Sequence, residues 1–366
     1  MTPGRPFDTP VVVILFNRPD RIAEVLQVLR TIRPPRIFAI ADGPRASHPA
    51  DIGRCRASRA ALDRVDWPCT IERDFSDTNL GCDRRIVTGL DWAFAKTDRA
   101  IVLEDDILPH PTFLPWAEAM LERFGDDPTV GIVCGRNPLG SWGAPDQDHI
   151  RARNGSIWGW ACTSRSWRNL QSQDLAGAPE TSADDIACDD LDPLLHAHLA
   201  LGLQMFRRGE LTAWDVLLYL RHGLTGLHAI TSPVNLTRNT GVGADATRTL
   251  FADDFSALLE PAEARPIRPS RDARLPDRGF ERASLLVQLL ARCRNPAMAA
   301  RLARVARRNA AFPIDPATRH HLAPFLHAEE SSRLLEHLAS HGLSSPLFNQ
   351  LREAVRTLAT PGVEAS

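Results

Sequence analysis

Lysine is almost absent from this 366-residue chain: of its 43 basic residues only Lys96 is a lysine, and the rest are arginine. A coding bias in a GC-rich genome produces such a skew, and so, secondarily, does a preference for two-pronged contacts to anions. Neither creates a basic surplus, because 45 acidic residues leave a formal net charge of −2. Nucleic-acid backbones are bound by an excess of Lys and Arg that releases counterions, so a nucleic-acid partner is excluded. Cysteine is sparse as well. The seven thiols (Cys55, Cys69, Cys82, Cys134, Cys162, Cys188, Cys293) are odd in number and form no Cys-x-x-Cys pair, which speaks against both a zinc site and a disulfide framework. No stretch approaches the roughly 20 apolar residues that span a bilayer, and Met1–Thr9 carries no charged segment followed by an apolar one, so a cytoplasmic location is expected. The sequons at Asn154 and Asn235 matter only in a secretory compartment and are discounted.

What is present is the alternation of an α/β protein. Residues 11–16, Val-Val-Val-Ile-Leu-Phe, form a continuous β-branched and apolar run, the pattern of a strand covered on both faces of a parallel sheet. Pro19 and Asp20 can open a helix whose apolar positions Ile22, Val25, Leu26 and Leu29 recur at i, i+3, i+4 and i+7. Further strands are read at Ile37–Ala41, Thr70–Glu72 and Ala100–Leu103, with helical segments between them. The order βαβαβαβ predicts a parallel, doubly wound sheet.

A chain of this length holds one catalytic domain of roughly 100 to 250 residues plus an appendage. The domain is placed at 1–255. Residues 256–278, rich in Pro, Arg and Ala, read as a linker. Beyond them, 279–366 reads as helical, with Leu285, Leu286, Leu289 and Leu290 spaced for one buried face. These helices suit a packed cap, an oligomer contact, a protein partner or a peripheral membrane contact.

Ligands of such sheets lie beyond the carboxyl ends of the strands, which selects Asn17, Arg18, Asp42 and the triplet Glu104-Asp105-Asp106. Three acids ending an apolar strand demand a partner. Mg²⁺ or Mn²⁺ supplies one, since either is held by one or two carboxylates while substrate phosphates and waters complete its shell. A period of two predicts that Glu104 and Asp106 point together and Asp105 away. An acidic turn before Pro109 is the plainer alternative.

The segment Val102-Leu-Glu-Asp-Asp-Ile-Leu-Pro-His-Pro-Thr-Phe113 resembles the DxD-type motif of GT-A glycosyltransferases. The Glu-Asp-Asp form is that of the inverting N-acetylglucosaminyltransferase I family and of family-2-like bacterial enzymes. Further segments match in order: Phe16-Asn-Arg-Pro19, Ala41-Asp-Gly43, Asn79-Leu-Gly-Cys82, Trp158-Gly-Trp160, Trp214-Asp215, and Pro233-Val-Asn-Leu236 through Gly241 to Thr247. The resemblance covers roughly residues 10 to 250.

It implies a Rossmann-like GT-A nucleotide-diphospho-sugar transferase domain, dependent on Mn²⁺ or Mg²⁺, inverting, and working in polysaccharide or glycoprotein assembly. The donor would be a nucleotide-sugar, a UDP-sugar by default, and the acceptor a glycan, glycolipid or protein. Asp106 becomes the metal ligand, Glu104 and Asp105 nucleotide-side contacts, and Asp42 a contact to base or ribose. Arg18 and Arg84 would pair with the diphosphate. Trp158, Gly159 and Trp160 offer indole faces and a close backbone approach to a sugar, and Trp167 reads as core. Asp215 stands where relatives carry the general base, although Val216 replaces their second acid; the reserve is the pool Asp184, Asp185, Asp189, Asp190 and Asp192. Arg248 stands where similar sequences end in histidine, and it can hold a phosphate but not ligate a cation.

Two other functions compete. A nucleotidyltransferase shares the sheet and the metal-bound phosphates but needs a Gly-rich phosphate loop after the first strand, and Phe16–Asp20 has no glycine. A catalytically silent sugar-binding or scaffold protein would retain the fold without turnover.

Overall fold

The computed structural model describes residues 6–172, 212–241, 259–268 and 275–281, together with 195, 198–199, 202–203, 206–209 and 284–285. The alternation of strand and helix is as the sequence predicts through the first half. Strand β1 (Val11–Leu15) is wholly buried and is followed by α1 (Pro19–Ile32), which opens with Pro at its first position and buries Ile22, Val25, Leu26 and Leu29. Each of those side chains contributes roughly 1.5–3 kcal/mol by leaving water. The helix ends on Arg33, whose φ of 58° is left-handed and whose amide bonds Leu29 O at 2.7 Å. Then come β2 (Arg36–Ala41), α2 (Ala50–Ala60), β3 (Thr70–Phe75), α3 (Cys82–Phe94) and β4 (Arg99–Glu104).

Strands β3, β2, β1 and β4 are neighbours in that order and all parallel. Their register places Leu15 opposite Ala41 and Ile14 opposite Glu104. The chain segments leaving β1, β2 and β4 therefore emerge on one edge, and this alignment positions the candidate site.

Past β4 the sheet departs from the parallel expectation. The sequence continues through β5 (Ile107–Pro109), α4 (Phe113–Phe124), β6 (Val130–Cys134), β7 (Ile150–Ala152), β8 (Trp160–Thr163), α5 (Ser164–Gln171), α6 (Trp214–Leu224), β9 (His228–Thr231) and β10 (Thr237–Asn239). Strand β8 inserts antiparallel between β4 and β6, and β7 closes the far side antiparallel to β9, giving a mixed eight-stranded sheet in the order β3-β2-β1-β4-β8-β6-β9-β7. Four-residue β8 carries too little pattern to reveal its direction in advance. Helices cover both faces: α1 and α4 pack with one apolar cluster, α3, α5 and α6 with the other.

Residues 259–268, read from composition as linker, lie fastened along the domain. Asn235 Nδ2 donates to Leu259 O, the Ala264 amide to Thr112 Oγ1, and the Arg268 amide to Asp148 Oδ2 at 2.8 Å. Ala264 and Ile267 pack against the first core cluster. Phe280 is buried against Trp142, and Asp277 accepts the Trp142 indole N–H at 2.8 Å. The proposed helical region beyond 285 lies outside the described residues. Among those described, no helix is long and apolar enough to cross a membrane.

Candidate active site

The edge at the ends of β1, β2 and β4 is built around one arginine and a row of acids. Strand β4 stops at Glu104, and Asp105-Asp106 form a turn before β5. The two-residue alternation therefore ends one residue too early for the expected arrangement. Asp105 and Asp106 both face Arg18, contrary to the prediction that Asp105 would point away. Arg18 Nη2 lies 2.8 Å from Asp105 Oδ1, and Nη1 lies 2.7 Å from Asp106 Oδ2. Asp105 Oδ2 also accepts the Phe16 amide at 3.1 Å, so both its oxygens are engaged by the loop after β1. Asp105 is 2 % exposed and Asp106 14 %.

A short ribbon fixes this turn. Strand β10 pairs antiparallel with β5, Asn239 opposite Ile107, and Thr240 gives its amide (2.7 Å) and hydroxyl (3.1 Å) to Asp106 O. Gly241 then passes directly over the ion pair: a Cβ there would stand 2.1 Å from Asp106 Oδ2 and 2.8 Å from Arg18 Nη1. Only a residue without a side chain permits so close an approach.

The charges are unevenly matched. Burial, and then the charges of Asp106, Asp105 and Asp215, push half-buried Glu104 up to about 8. Burial also pushes Asp105 up to about 7, with Arg18 opposing and Asp106 reinforcing. Burial pulls Arg18 down, but Asp105 and Asp106 outweigh it and its pKa is raised. Several acids thus share one guanidinium, a site with capacity for more positive charge.

Asp215 lies near enough for its charge to add to the raised pKa of Glu104. It sits in the first turn of α6, and Asp83, at the start of α3, anchors that turn by accepting the Trp214 amide at 2.7 Å. Asp83 had no signal in the sequence, because its role depends on a contact across 131 residues.

The other predicted residues divide. Asn17 lies at the same edge but is turned to buried Asp51, donating to Oδ1 at 2.7 Å. Asp51, which sequence reasoning missed, is also gripped by Arg45 at 2.6 and 3.0 Å and is held well below the usual carboxylate range, first by Arg45 and then by Asn17. Asp42, expected to contact base or ribose, spends its oxygens on the chain: Oδ1 accepts the Gly43 and Leu80 amides, Oδ2 the Gly81 amide and Asn79 Nδ2, all at 2.8–3.0 Å. It shapes the loop entering α3. Arg84 is an exposed helix position, whereas its neighbour Arg85 is buried and clamps Ala41 O and Asp74.

In the Trp-Gly-Trp segment only Trp158 is partly exposed, with the Arg136 guanidinium 4.0 Å over its ring. Trp160 is a correction to the pocket prediction: on β8 its ring is 1 % exposed in the second core cluster, tilted against Trp167. Gly159 has φ +73°, and a Cβ would meet Thr237 Cγ2 at 2.5 Å, so its lack of a side chain serves backbone packing against β10 rather than a sugar. Trp167 is core, as predicted, with its indole N–H on Asp91 at 2.7 Å. Arg248 and the acids 184–192 lie outside the described residues. Among those described, Cys55, Cys69, Cys82, Cys134 and Cys162 form no disulfide.

No family model and no curated protein matches the chain. Solved structures that align with it include a protein described as a glucose-1-phosphate thymidylyltransferase from Bacillus anthracis, in complex with a sucrose. That pair shares 14 % identity at a TM-score of 0.32, over 72 % of this chain and 98 % of the other. A UDP-glucose pyrophosphorylase complexed with UDP-glucose aligns at 9 % identity and a TM-score of 0.35, over 69 % and 97 %. Likeness of that degree carries no argument about activity, and what those two proteins bind is said of them alone.

Proposed function

We propose that the chain is a nucleotide-diphospho-sugar-dependent transferase, and specifically a glycosyltransferase of the GT-A type. The observation that carries this reading is Arg18 paired with both Asp105 and Asp106, next to Glu104, at the carboxyl edge of a parallel β2-β1-β4 core, where α/β sheets bind their ligands.

The donor set fits a Mg²⁺ or Mn²⁺ ion of a particular kind. Among the described residues no three metal-capable side chains converge, so an all-protein cage is not supported. A cation completed by diphosphate and water would need only one carboxylate from the chain. Arg18 engages Oδ2 of Asp106, and Asp106 is the residue that would hold the ion. Such an ion, when bound, neutralises the diphosphate and improves it as a leaving group.

The remaining work falls to the chain itself. Arg18, held by Asp105 and Asp106, places a positive charge beside the diphosphate. Asp215, on the short first turn of α6, accepts the proton of the acceptor hydroxyl as its oxygen attacks the anomeric carbon. The bond from that carbon to the β-phosphate oxygen breaks, and the nucleoside diphosphate departs with inversion. Partly exposed Trp158, with Arg136 over its ring, is the candidate sugar contact.

The nucleotidyltransferase alternative attacks phosphorus and needs backbone amides of the loop after β1 to cradle phosphate. Here the Phe16 amide is already taken by Asp105, which favours the glycosyltransferase reading. Product analysis separates the two. With Mn²⁺ and a panel of UDP- and GDP-sugars, slow hydrolysis or transfer is expected to release nucleoside diphosphate. With nucleoside triphosphates and sugar 1-phosphates, no pyrophosphate is expected. Pyrophosphate release in the second assay would establish the nucleotidyltransferase, and metal-dependent nucleotide binding with no product in either would establish the silent sugar-binding protein.

A further inference from the structure

We propose that the strap formed by residues 259–268 is a positioning element of the candidate site, acting on the turn at 105–106 and on Trp158 through one residue, Asn235. That this edge is catalytic rests on the reading given above; the coupling itself rests on hydrogen bonds. Asn137 and Asn235 are 0 % and 1 % exposed, and every polar atom of both side-chain amides is bonded. Asn137 Oδ1 accepts the Leu139 amide, and its Nδ2 donates to Ser232 O and Pro233 O. Asn235 Oδ1 accepts the Asn137 amide at 3.1 Å, while its Nδ2 donates to Thr237 O at 2.9 Å and to Leu259 O at 3.2 Å. The Asn235 carbonyl accepts the Ala262 amide at 2.8 Å. The loop after β6, the loop after β9 and the strap thus meet on one buried residue.

From Asn235 the bonds run on to the site in two directions. Leu236 gives its amide to Gly135 O at 2.9 Å and accepts the His110 amide at 2.8 Å. Thr237 then stands opposite Pro109 at one end of the β10–β5 ribbon, whose other end holds Asp106 O through the Thr240 amide at 2.7 Å. In the second direction Thr237 Oγ1 donates to Trp158 O at 2.6 Å. The acidic turn and the partly exposed indole are therefore hung from the residue that grips the strap. The strap is fixed beyond Asn235 by the Ala264 amide on Thr112 Oγ1 and the Arg268 amide on Asp148 Oδ2. Removing its bonds to Asn235 leaves a buried donor and a buried carbonyl unsatisfied, a loss that favours local opening by about 10-fold. Asn235 acts through Thr237 and β10, which makes it a positioning residue. Such a chain of contacts amounts to a coupling only if its members open together.

Native-state hydrogen exchange on the full chain, read amide by amide at rising sub-denaturing concentrations of denaturant, tests this without substrate. In wild type the strap amides of Ala262 and Ala264 and the site amides of His110, Leu236 and Thr240 are expected to open as one unit, with one free energy and one denaturant dependence. Two variants cut the link at different points. Ala262→Pro removes the strap's N–H from Asn235 O and alters no residue of the site, whereas Asn235→Asp keeps the Oδ1 acceptor and removes the Nδ2 donor. Each is expected to speed exchange at His110 and Thr240 by about 10-fold while the amides of β1 are unchanged. In the nucleotide-sugar assay above, each is expected to lower kcat by roughly 10- to 100-fold through misplacement of the site. Separate openings of strap and site amides in wild type overturn the coupling, and that result needs no variant to fold. Faster exchange that spreads equally to β1, or unchanged kcat despite faster exchange at Thr240, overturns the positioning role. Absence of product from wild type, with the joint opening intact, overturns the transferase reading and leaves the coupling standing.

Discussion

Asp215→Asn is expected to lower kcat by roughly 10²- to 10⁴-fold, the range a positioned general base contributes, while nucleotide affinity stays unchanged. The substitution keeps the size of the side chain and the Asp83 anchor on the Trp214 amide, so α6 remains in place. What is lost is the capacity to accept a proton beside the Glu104–Asp106 row. Asp215 is chosen because it stands where the glycosyltransferase resemblance places the general base and because its charge acts on Glu104. A steady-state comparison of kcat and KM, alongside nucleotide titration, checks the prediction. A parallel loss of nucleotide affinity, or kcat within a few-fold of wild type, would place the base elsewhere.

The second large effect is on stability and lies away from the site. His222 and His228 sit at the end of α6 and the start of β9, both buried, and burial pushes each down to about 4. The geometry agrees: Arg151 Nη1 stands 3.2 Å from His228 Nδ1, where only a neutral ring can accept. Arg151 and Arg153 add further repulsion to a charged His228.

A histidine that titrates near 6.5 when unfolded and near 4 when folded takes up its proton first in the unfolded chain. Its contribution is therefore complete above about pH 6.5 and is lost as pH falls towards 4, by up to about 3 kcal/mol for each residue. Glu104 and Asp105 work in the opposite direction. Their folded values are raised, so in metal-free protein their protonation stabilises the fold on the acid side and their ionisation weakens it as pH rises towards 7 or 8. Denaturant unfolding from pH 7.5 to 4 is thus expected to be flatter in wild type than either set alone would give. Glu104→Gln removes one opposing group and should steepen the acid loss. His228→Gln, which keeps an acceptor for Arg151, should reduce that loss by up to about 3 kcal/mol. Identical pH profiles for all three proteins would show that these groups do not titrate as their burial requires.

The sequence made some parts of this molecule legible and hid others, for reasons of range. The β1–α1 unit was readable residue by residue, because Pro19 and the spacing of Ile22, Val25, Leu26 and Leu29 are local signals. The acidic triplet was readable as a strand-end feature, since charge after Ala100–Leu103 breaks an apolar run. Its orientation was not: the prediction for Asp105 assumed that the strand continued, and the turn at 105–106 set both aspartates on Arg18. Trp160 and Gly159 carry composition that suits a sugar pocket, yet the antiparallel insertion of β8 turns the indole into the core and presses the glycine against Thr237. The stretch 259–268 has the composition of a linker, and only its partners Asn235, Thr112 and Asp148 fasten it. Contacts between segments a hundred residues apart leave no periodicity to read.

The most direct test of the central claim is calorimetric titration of UDP and GDP, with and without Mn²⁺, into wild type and Asp106→Ala. One nucleotide is expected to bind wild type only when Mn²⁺ is present and not to bind Asp106→Ala under either condition. Failure of both nucleotides to bind wild type, or nucleotide binding that is unchanged by Mn²⁺ and by Asp106→Ala, would contradict a metal–diphosphate site at the end of β4.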